Sequence, residues 1–191
     1  QDVHGKIKDY YLSIAGDTPQ FPTLDDLKPL IEVVHHACQA GAYDEADKIC
    51  WERIYRTDTR ALVNQLGAWE TAYTLMFEFF SKGDTSQEPL VSATGNKHWI
   101  LNEIGLCLMS LGRLREAVPF YERAAKSYLE GQDWHNASIT YRNLAELHAS
   151  LGALDKSAEA AREARDLARK AENKQDMVNS MGFQAWSAHL L

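Results

Sequence analysis

Apolar side chains recur along most of the chain at intervals of three and four residues, which is the period of one face of an α-helix. Only 5 prolines and 11 glycines interrupt this pattern. Three stripes stand out as first helices of helical hairpins: Leu30, Val33, Val34 and Ala37; Leu101, Ile104, Gly105 and Leu108; Tyr141, Leu144, Ala145 and His148. The pattern predicts an all-α fold.

A turn signature follows each stripe. Gly41, Gly112 and Gly152 are each followed two residues later by a large apolar residue and five residues later by a small one. Glycine adopts the positive φ that ends a helix, and a small residue lets two antiparallel helices cross closely. The small residues are Ala46, Ala117 and Ser157. Each signature therefore predicts a helical hairpin.

The N-terminal region is predicted to precede the repeats. Residues 3–15 form an amphipathic helical pattern, and Thr23 with Asp26 resembles a capping box at a helix start. We therefore expect an N-terminal helix and linker over residues 1–22, followed by a repeat domain over residues 23–191.

The middle of the chain departs from the pattern, because the interval between Gly41 and Gly112 is far longer than the interval between Gly112 and Gly152. We predict a short helix over residues 57–66 and a long apolar helix over residues 68–80, whose side chains pack in the core rather than form a binding stripe. A loop over residues 81–95 follows, and the pattern leaves its role open.

Composition narrows the possible partners and the compartment. The net charge of −7 disfavours nucleic acid as a partner. No apolar run approaches the roughly 18 residues that a membrane-spanning helix needs. Cys38, Cys50 and Cys107 are an odd number of widely spaced cysteines, which favours reduced thiols in the cytoplasm.

Motifs for catalysis, cofactors or structural metal sites are missing from the sequence. The nearest metal candidate is the run from His35 to Cys38, but adjacent helical residues point about 100° apart, so packing is the favoured interpretation. Residues 51–56 similarly suggest a charge ladder rather than a ligand wall. We therefore predict no catalytic residue, no cofactor and no metal.

The run Leu101–Gly105 with Gly112, Ala117, Tyr121 and Ala124 resembles the tetratricopeptide motif. The interval between Gly112 and Gly152 exceeds the family's usual length of about 34 residues, so we expect longer helices. The resemblance implies a right-handed superhelical solenoid of helical hairpins, with the first helices along its concave face.

Candidate ligand contacts follow from that implied concave face. Its clearest members are Trp99, Asn102, Leu106, Arg142 and Glu146. The family's receptors for chaperone tails need Lys and Asn where this chain has Asn102 and Leu106, so that function is disfavoured. Glu103 and His148 are expected near the same face, as solvated polar surface.

Four segments, residues 30–41, 51–54, 66–68 and 99–103, resemble a narrower group. They are similar to the tetratricopeptide C-terminal regions of bacterial signal-transduction ATPases with numerous domains (STAND ATPases), relatives of NACHT and NB-ARC switch proteins. The resemblance implies a sensor that binds an inducer protein, peptide or small molecule and releases an attached ATPase switch from autoinhibition.

The alternative is a free-standing adaptor that binds a partner peptide or helix. The chain starts without Met and ends inside a helical pattern, so we expect it to be part of a longer protein.

The final helix exposes an apolar stripe that could support a dimer: Met181, Phe183, Trp186 and Leu190.

Overall fold

The computed structural model describes residues 2–55 and 59–190, and every regular element in those residues is helical, as predicted. The α-helices are α1 (Asp2–Ile14), α2 (Leu24–Ala40), α3 (Tyr43–Ile49), α4 (Trp69–Phe77), α5 (Thr94–Ser110), α6 (Leu114–Glu130), α7 (Trp134–Ser150), α8 (Leu154–Lys170) and α9 (Lys174–Leu190). They form two compact units that divide between Lys97 and His98. The predicted domain boundary after residue 22 stays a prediction.

In unit 1, α2 and α3 form the first predicted hairpin. The Asp26 carboxylate accepts a hydrogen bond from the Thr23 amide at 2.8 Å, and the Thr23 hydroxyl accepts from the Asp26 amide at 3.3 Å. This is the predicted capping box. At the other end of α2, Gly41 has a φ of 84°, which turns the chain into α3. Helix α1 packs on this hairpin, where Lys8 lies 2.8 Å from Glu45.

The helical path becomes irregular after α3. A π-helical turn, Cys50–Tyr55, continues α3, and a second one, Ala61–Gln65, is the part of the predicted 57–66 helix that forms; residues 57 and 58 lie outside the described residues. Arg53 donates to the backbone carbonyls of Ala15 and Gly16. Because Arg56 lies outside the described residues, the charge ladder expected over residues 51–56 stays a prediction.

The prediction that α4 extends to residue 80 is wrong. Helix α4 ends at Phe77, and Phe80 is in an extended conformation with φ −112° and ψ 142°. The amide of Leu90 donates to the carbonyl of Phe79 at 2.8 Å, which holds the returning chain against the helix end. Phe79 and Phe80 stay buried, so they belong to the core as expected.

The segment between Phe80 and α5 packs back onto α3. The Ser92 amide and hydroxyl both donate to the Asp44 carboxylate at 2.7 Å, and Asn96, in the first turn of α5, donates to Asp47. Val91 is buried at the base of this segment. Side-chain hydrogen bonds and one apolar anchor therefore fix the predicted loop, whose role the sequence leaves open.

Unit 2 is regular. Helices α5 to α9 are each 17 residues long and are joined by short connections of equal length. The middle residue of every connection has a positive φ: Gly112 at 75°, Gln132 at 56°, Gly152 at 73° and Glu172 at 54°. The repeat from Gly112 to Gly152 therefore consists of two equal steps, each a helix and a turn.

Close helix contacts explain the small residues of the repeat. Ala117 and Ser157 are fully buried, and the Ser157 hydroxyl donates to the carbonyl of Ala145 at 2.8 Å. Gly105 lies against the ring of Tyr121, and a Cβ at Gly105 would come within 3.0 Å of three ring atoms. These contacts confirm the predicted hairpin crossings in unit 2.

Candidate functional site

The first helices of successive hairpins in unit 2 lie side by side. The Thr140 hydroxyl of α7 hydrogen-bonds to the side-chain oxygen of Asn102 of α5 at 3.2 Å. On the next helix along, Arg142 Nη1 of α7 lies 3.4 Å from Asp176 Oδ1 of α9. Helices α5, α7 and α9 thus form one continuous surface that carries both polar and apolar side chains. We name it the first-helix face.

All five predicted ligand contacts are partly exposed on helices of the first-helix face. Trp99, Asn102 and Leu106 follow one another along α5 at helical spacing, and Arg142 and Glu146 lie one turn apart on α7. Asn102 is held by α7 and Arg142 by α9, so both already contact a neighbouring helix. Their role as ligand contacts stays a prediction.

A polar cluster that the sequence analysis missed links α7 to α9. Asp176 is only 7% exposed, yet its carboxylate lies 2.9 Å from His135 Nδ1 as well as near Arg142. The Asn173 side chain accepts from the Asp176 amide at 3.1 Å, which caps α9. The spacing of Asn173 and Asp176 is a helix-start signal that could have placed this carboxylate at the beginning of α9.

A cavity of about 470 Å³ opens between α7 and α9, next to that cluster. Val178, Phe183 and Trp186 supply its apolar lining, and Arg142 borders it. The Phe183 and Trp186 rings meet edge to face with centroids 6.1 Å apart, and Trp186 is 43% exposed. Phe183 and Trp186, which the sequence predicts in a dimer contact, line the same cavity as Arg142, a predicted ligand contact.

Two other residues differ from expectation. Glu103 is fully buried rather than part of a solvated surface. His148 is 8% exposed and lines a separate cavity with residues of α6 and α8, so its expected place near the first-helix face is wrong. The reason is helical geometry, because His148 shares its side of α7 with Tyr141 and Leu144 rather than with Arg142.

The histidines of unit 1 diverge as their adjacent positions predict. His35 Nδ1 lies 2.9 Å from Glu78 Oε1, whereas His36 Nδ1 lies 2.8 Å from the Nδ1 of His4 on α1. Cys38 is buried, and that burial raises the pKa of its thiol. Across residues 2–55 and 59–190, no three His, Cys, Asp or Glu side chains gather in a way that could hold a metal ion.

Comparison with known families covers the regular part of the chain. Residues 97–170 match the family model described as tetratricopeptide repeat. The match spans nearly all of α5 and the whole of α6, α7 and α8, and the described residues fold as a tetratricopeptide-like array of helical hairpins. Arrays of this type are protein-interaction modules and typically non-enzymatic scaffolds. Among curated proteins, none matches the chain.

Among the described residues, no helix is both long enough and apolar enough to cross a membrane.

Proposed function

We propose that this chain is the inducer-binding sensor region of a multidomain bacterial STAND ATPase. The first-helix face binds the inducer, and binding relieves autoinhibition of the attached switch. The observation that carries the proposal is the cavity between α7 and α9. There, aromatic side chains of α9 lie beside the Arg142 guanidinium of α7, which already contacts Asp176 of α9.

This cavity suits a protein or peptide inducer that carries an apolar side chain and a carboxylate. Phe183 and Trp186 offer a large apolar contact area, and Arg142 offers a planar pair of donors for a carboxylate. A ligand carboxylate would compete with Asp176 for Arg142. Since a ligand shifts an equilibrium by its preference for one state, this exchange would favour a state in which the ligand replaces the direct Arg142–Asp176 contact between α7 and α9.

The remaining features of the proposal concern context. The net charge of −7 fits a protein partner rather than nucleic acid, and we propose no catalytic activity for this region. Cys38, Cys50 and Cys107 are buried thiols, which fits the proposed cytoplasmic location.

The first test is thermal unfolding of the chain against fractions of host extract, peptides and metabolites, because a ligand of the native state raises the midpoint. The active component is then titrated against Trp99→Ala, Glu146→Gln and Arg142→Ala. We expect each to weaken binding, and Arg162→Ala, an exposed arginine on α8, to leave it unchanged. Equal affinity of all four variants would refute the first-helix face as the binding site.

The free-standing adaptor is distinguished by coupling. If this region is a sensor, the inducer must increase nucleotide exchange or hydrolysis by the parent ATPase when both are on one chain. Binding without any effect on the ATPase would favour the adaptor.

A dimer through α9 is a separate proposal. Met181 and Trp186 are 54% and 43% exposed, which leaves apolar surface available, whereas the Leu190 side chain lies outside the described residues. Sedimentation of the Met181→Lys variant tests it: we expect the variant to be monomeric at concentrations where the unchanged chain dimerises. A monomeric unchanged chain would refute the dimer.

A further inference from the structure

A second cavity of unit 2, of about 480 Å³, lies between α6 and α8 with α7 at its base. We name it the second-helix cavity. Its α7 residues are Tyr141, Leu144 and His148, which point nearly opposite to Arg142 and Glu146 on the same helix. The cavity is therefore distinct from the first-helix face, and what it binds goes beyond the function proposed above.

The base of the second-helix cavity contains a histidine side chain, His148, that bonds to no other side chain that the structure describes. His148 is 8% exposed, lines the cavity, and has no side-chain hydrogen-bond partner among the described residues. Burial, together with nearby Lys156, lowers the pKa of this imidazole, so it is neutral near pH 7 and one ring nitrogen is an acceptor. A polar side chain this buried ordinarily has a partner, and a donor group that enters the cavity could supply one.

Carboxylates stand on both walls of the second-helix cavity. Glu122 comes from α6, and Glu159 and Glu163 come from α8. Burial raises the pKa of the half-buried Tyr141 phenol, and the negative charges of these three carboxylates raise it further. The walls therefore provide a negative field above an aromatic face.

Two lysines also border the second-helix cavity, but they do not neutralise this field at its centre. Lys126 is 78% exposed and lies 3.8 Å from Glu130, which is outside the cavity. Lys156 acts on His148 rather than on Tyr141. Three carboxylates against two outlying ammonium groups leave the lining net negative.

The apolar floor narrows the ligand further. Leu144 is buried beneath the cavity, and Ala125, Leu129 and Ala160 surround it with aliphatic surface. An aliphatic stem would cover this surface, while a planar cation at its end would meet the carboxylates, stack on Tyr141 and donate to His148. Guanidinium has five donors in a fixed plane, whereas ammonium has three around a point, so arginine fits this spread of acceptors better than lysine.

We propose that the second-helix cavity binds an arginine side chain presented by a partner protein. Glu122, Glu159 and Glu163 supply the attraction, Tyr141 the aromatic face and His148 an acceptor at the base. A partner could then be held on the opposite side of α7 from the first-helix face.

The test uses two small probes and the whole chain. N-acetyl-arginine N-methylamide carries the guanidinium, and N-acetyl-citrulline N-methylamide has nearly the same shape without the charge. Binding is followed by the NMR shifts of the His148 ring during titration at low salt, where exposed charges are least screened. We expect saturable binding of the arginine probe and at least about fivefold weaker binding of citrulline.

The variants then identify the groups responsible. In the Glu122→Gln/Glu159→Gln/Glu163→Gln chain, all three changes are on exposed side chains, and we expect the preference for arginine to disappear. Glu172→Gln, which removes one exposed carboxylate outside the cavity, should keep the preference. If the triple variant is unfolded by circular dichroism, Glu163→Gln alone is tested for a reduced preference.

Equal binding of the two probes would overturn the proposal. So would an arginine preference that survives in a folded triple variant. Neither result bears on the first-helix face. That face is tested separately by Trp99→Ala and Glu146→Gln, which leave every residue of the second-helix cavity unchanged.

Discussion

Residues 24–49 and residues 98–173 both use the helical hairpin, but only the second region repeats it at a constant interval. In unit 2, four connections of equal length separate helices of equal length, and each connection turns at a residue with positive φ. In unit 1, α3 passes into π-helical turns and side chains such as Asp44 hold the returning chain. Regularity depends on backbone turns, whereas the irregular region depends on individual side chains.

The largest effect on stability is expected from Gly105→Leu, which disturbs a helix contact of the regular unit 2. The fully buried Tyr121 ring occupies the space that the new side chain needs. We therefore expect a loss of about 3 kcal/mol in the free energy of unfolding. Gly182→Leu is the matched control in α9, because no atom lies within 4 Å of its added Cβ. The control should change stability by less than about 1 kcal/mol. Urea unfolding measures both, and equal effects would contradict the packing account.

The next test removes the apolar anchor of the irregular segment in unit 1. Val91 is almost fully buried. The Val91→Ala change should cost about 2 kcal/mol, because it leaves a cavity in the core. The neighbouring Leu90 is 41% exposed. Its replacement by alanine should therefore change stability by no more than about 0.5 kcal/mol. Hydrogen exchange at the Ser92 amide gives a local readout, and unchanged protection in Val91→Ala would show that Asp44 alone fixes the segment.

A smaller effect is expected at the turn between α6 and α7. Gln132 has a φ of 56°. This conformation costs most L-residues about 1 kcal/mol. Gln132→Gly should therefore raise the stability of the chain by up to about 1 kcal/mol. Gln132→Ala keeps the strain and should give no gain. A gain of the same size from both substitutions would mean that the backbone conformation is not the cause.

The smallest effect on stability is expected from a change of pH, which acts on His36 in unit 1 and on His148 in unit 2. Burial is the first cause that lowers the pKa of His36 and of His148. Neighbouring groups act in both directions: His35 and His4 lower the His36 pKa while Glu32 and Glu78 raise it, and Lys156 lowers the His148 pKa while Glu122 raises it. Both histidines therefore resist protonation in the folded chain.

The sign of the pH effect follows from linkage. The unfolded histidine titrates near pH 6.5 and the folded one below it, so stability is complete above about pH 6.5 and falls as the pH decreases through the folded pKa. We expect a lower unfolding midpoint at about pH 5.5 than at about pH 7.5, and a smaller difference in His36→Gln and in His148→Gln. An unchanged pH dependence in both variants would show that other groups cause it.

The sequence predicts the hairpins well where local signals and packing agree. Thr23 with Asp26, and the turns at Gly41, Gly112 and Gly152, have local physical requirements that a sequence pattern reveals. The turns at Gln132 and Glu172 were missed because these residues have no preference for positive φ; the surrounding helices impose it.

The candidate site was less predictable for a different reason. Asn102 and Arg142 could be placed by helical register, but their partners Thr140 and Asp176 lie on other helices, far away in the chain. The end of α4 was likewise set by a hydrogen bond from Leu90, which no local pattern indicates. Contacts between distant segments, rather than propensity, decided these features.

The equal connections of unit 2 have a consequence for how such a chain changes in length. Removing residues 113–152 would join Gly112 to Ala153, and Gly112 has the same turn conformation as Gly152, which ordinarily precedes Ala153. Copying the same segment would likewise create a turn of the existing kind at each junction. Gene duplication or deletion in this register therefore adds or removes a complete hairpin, without a new loop having to evolve.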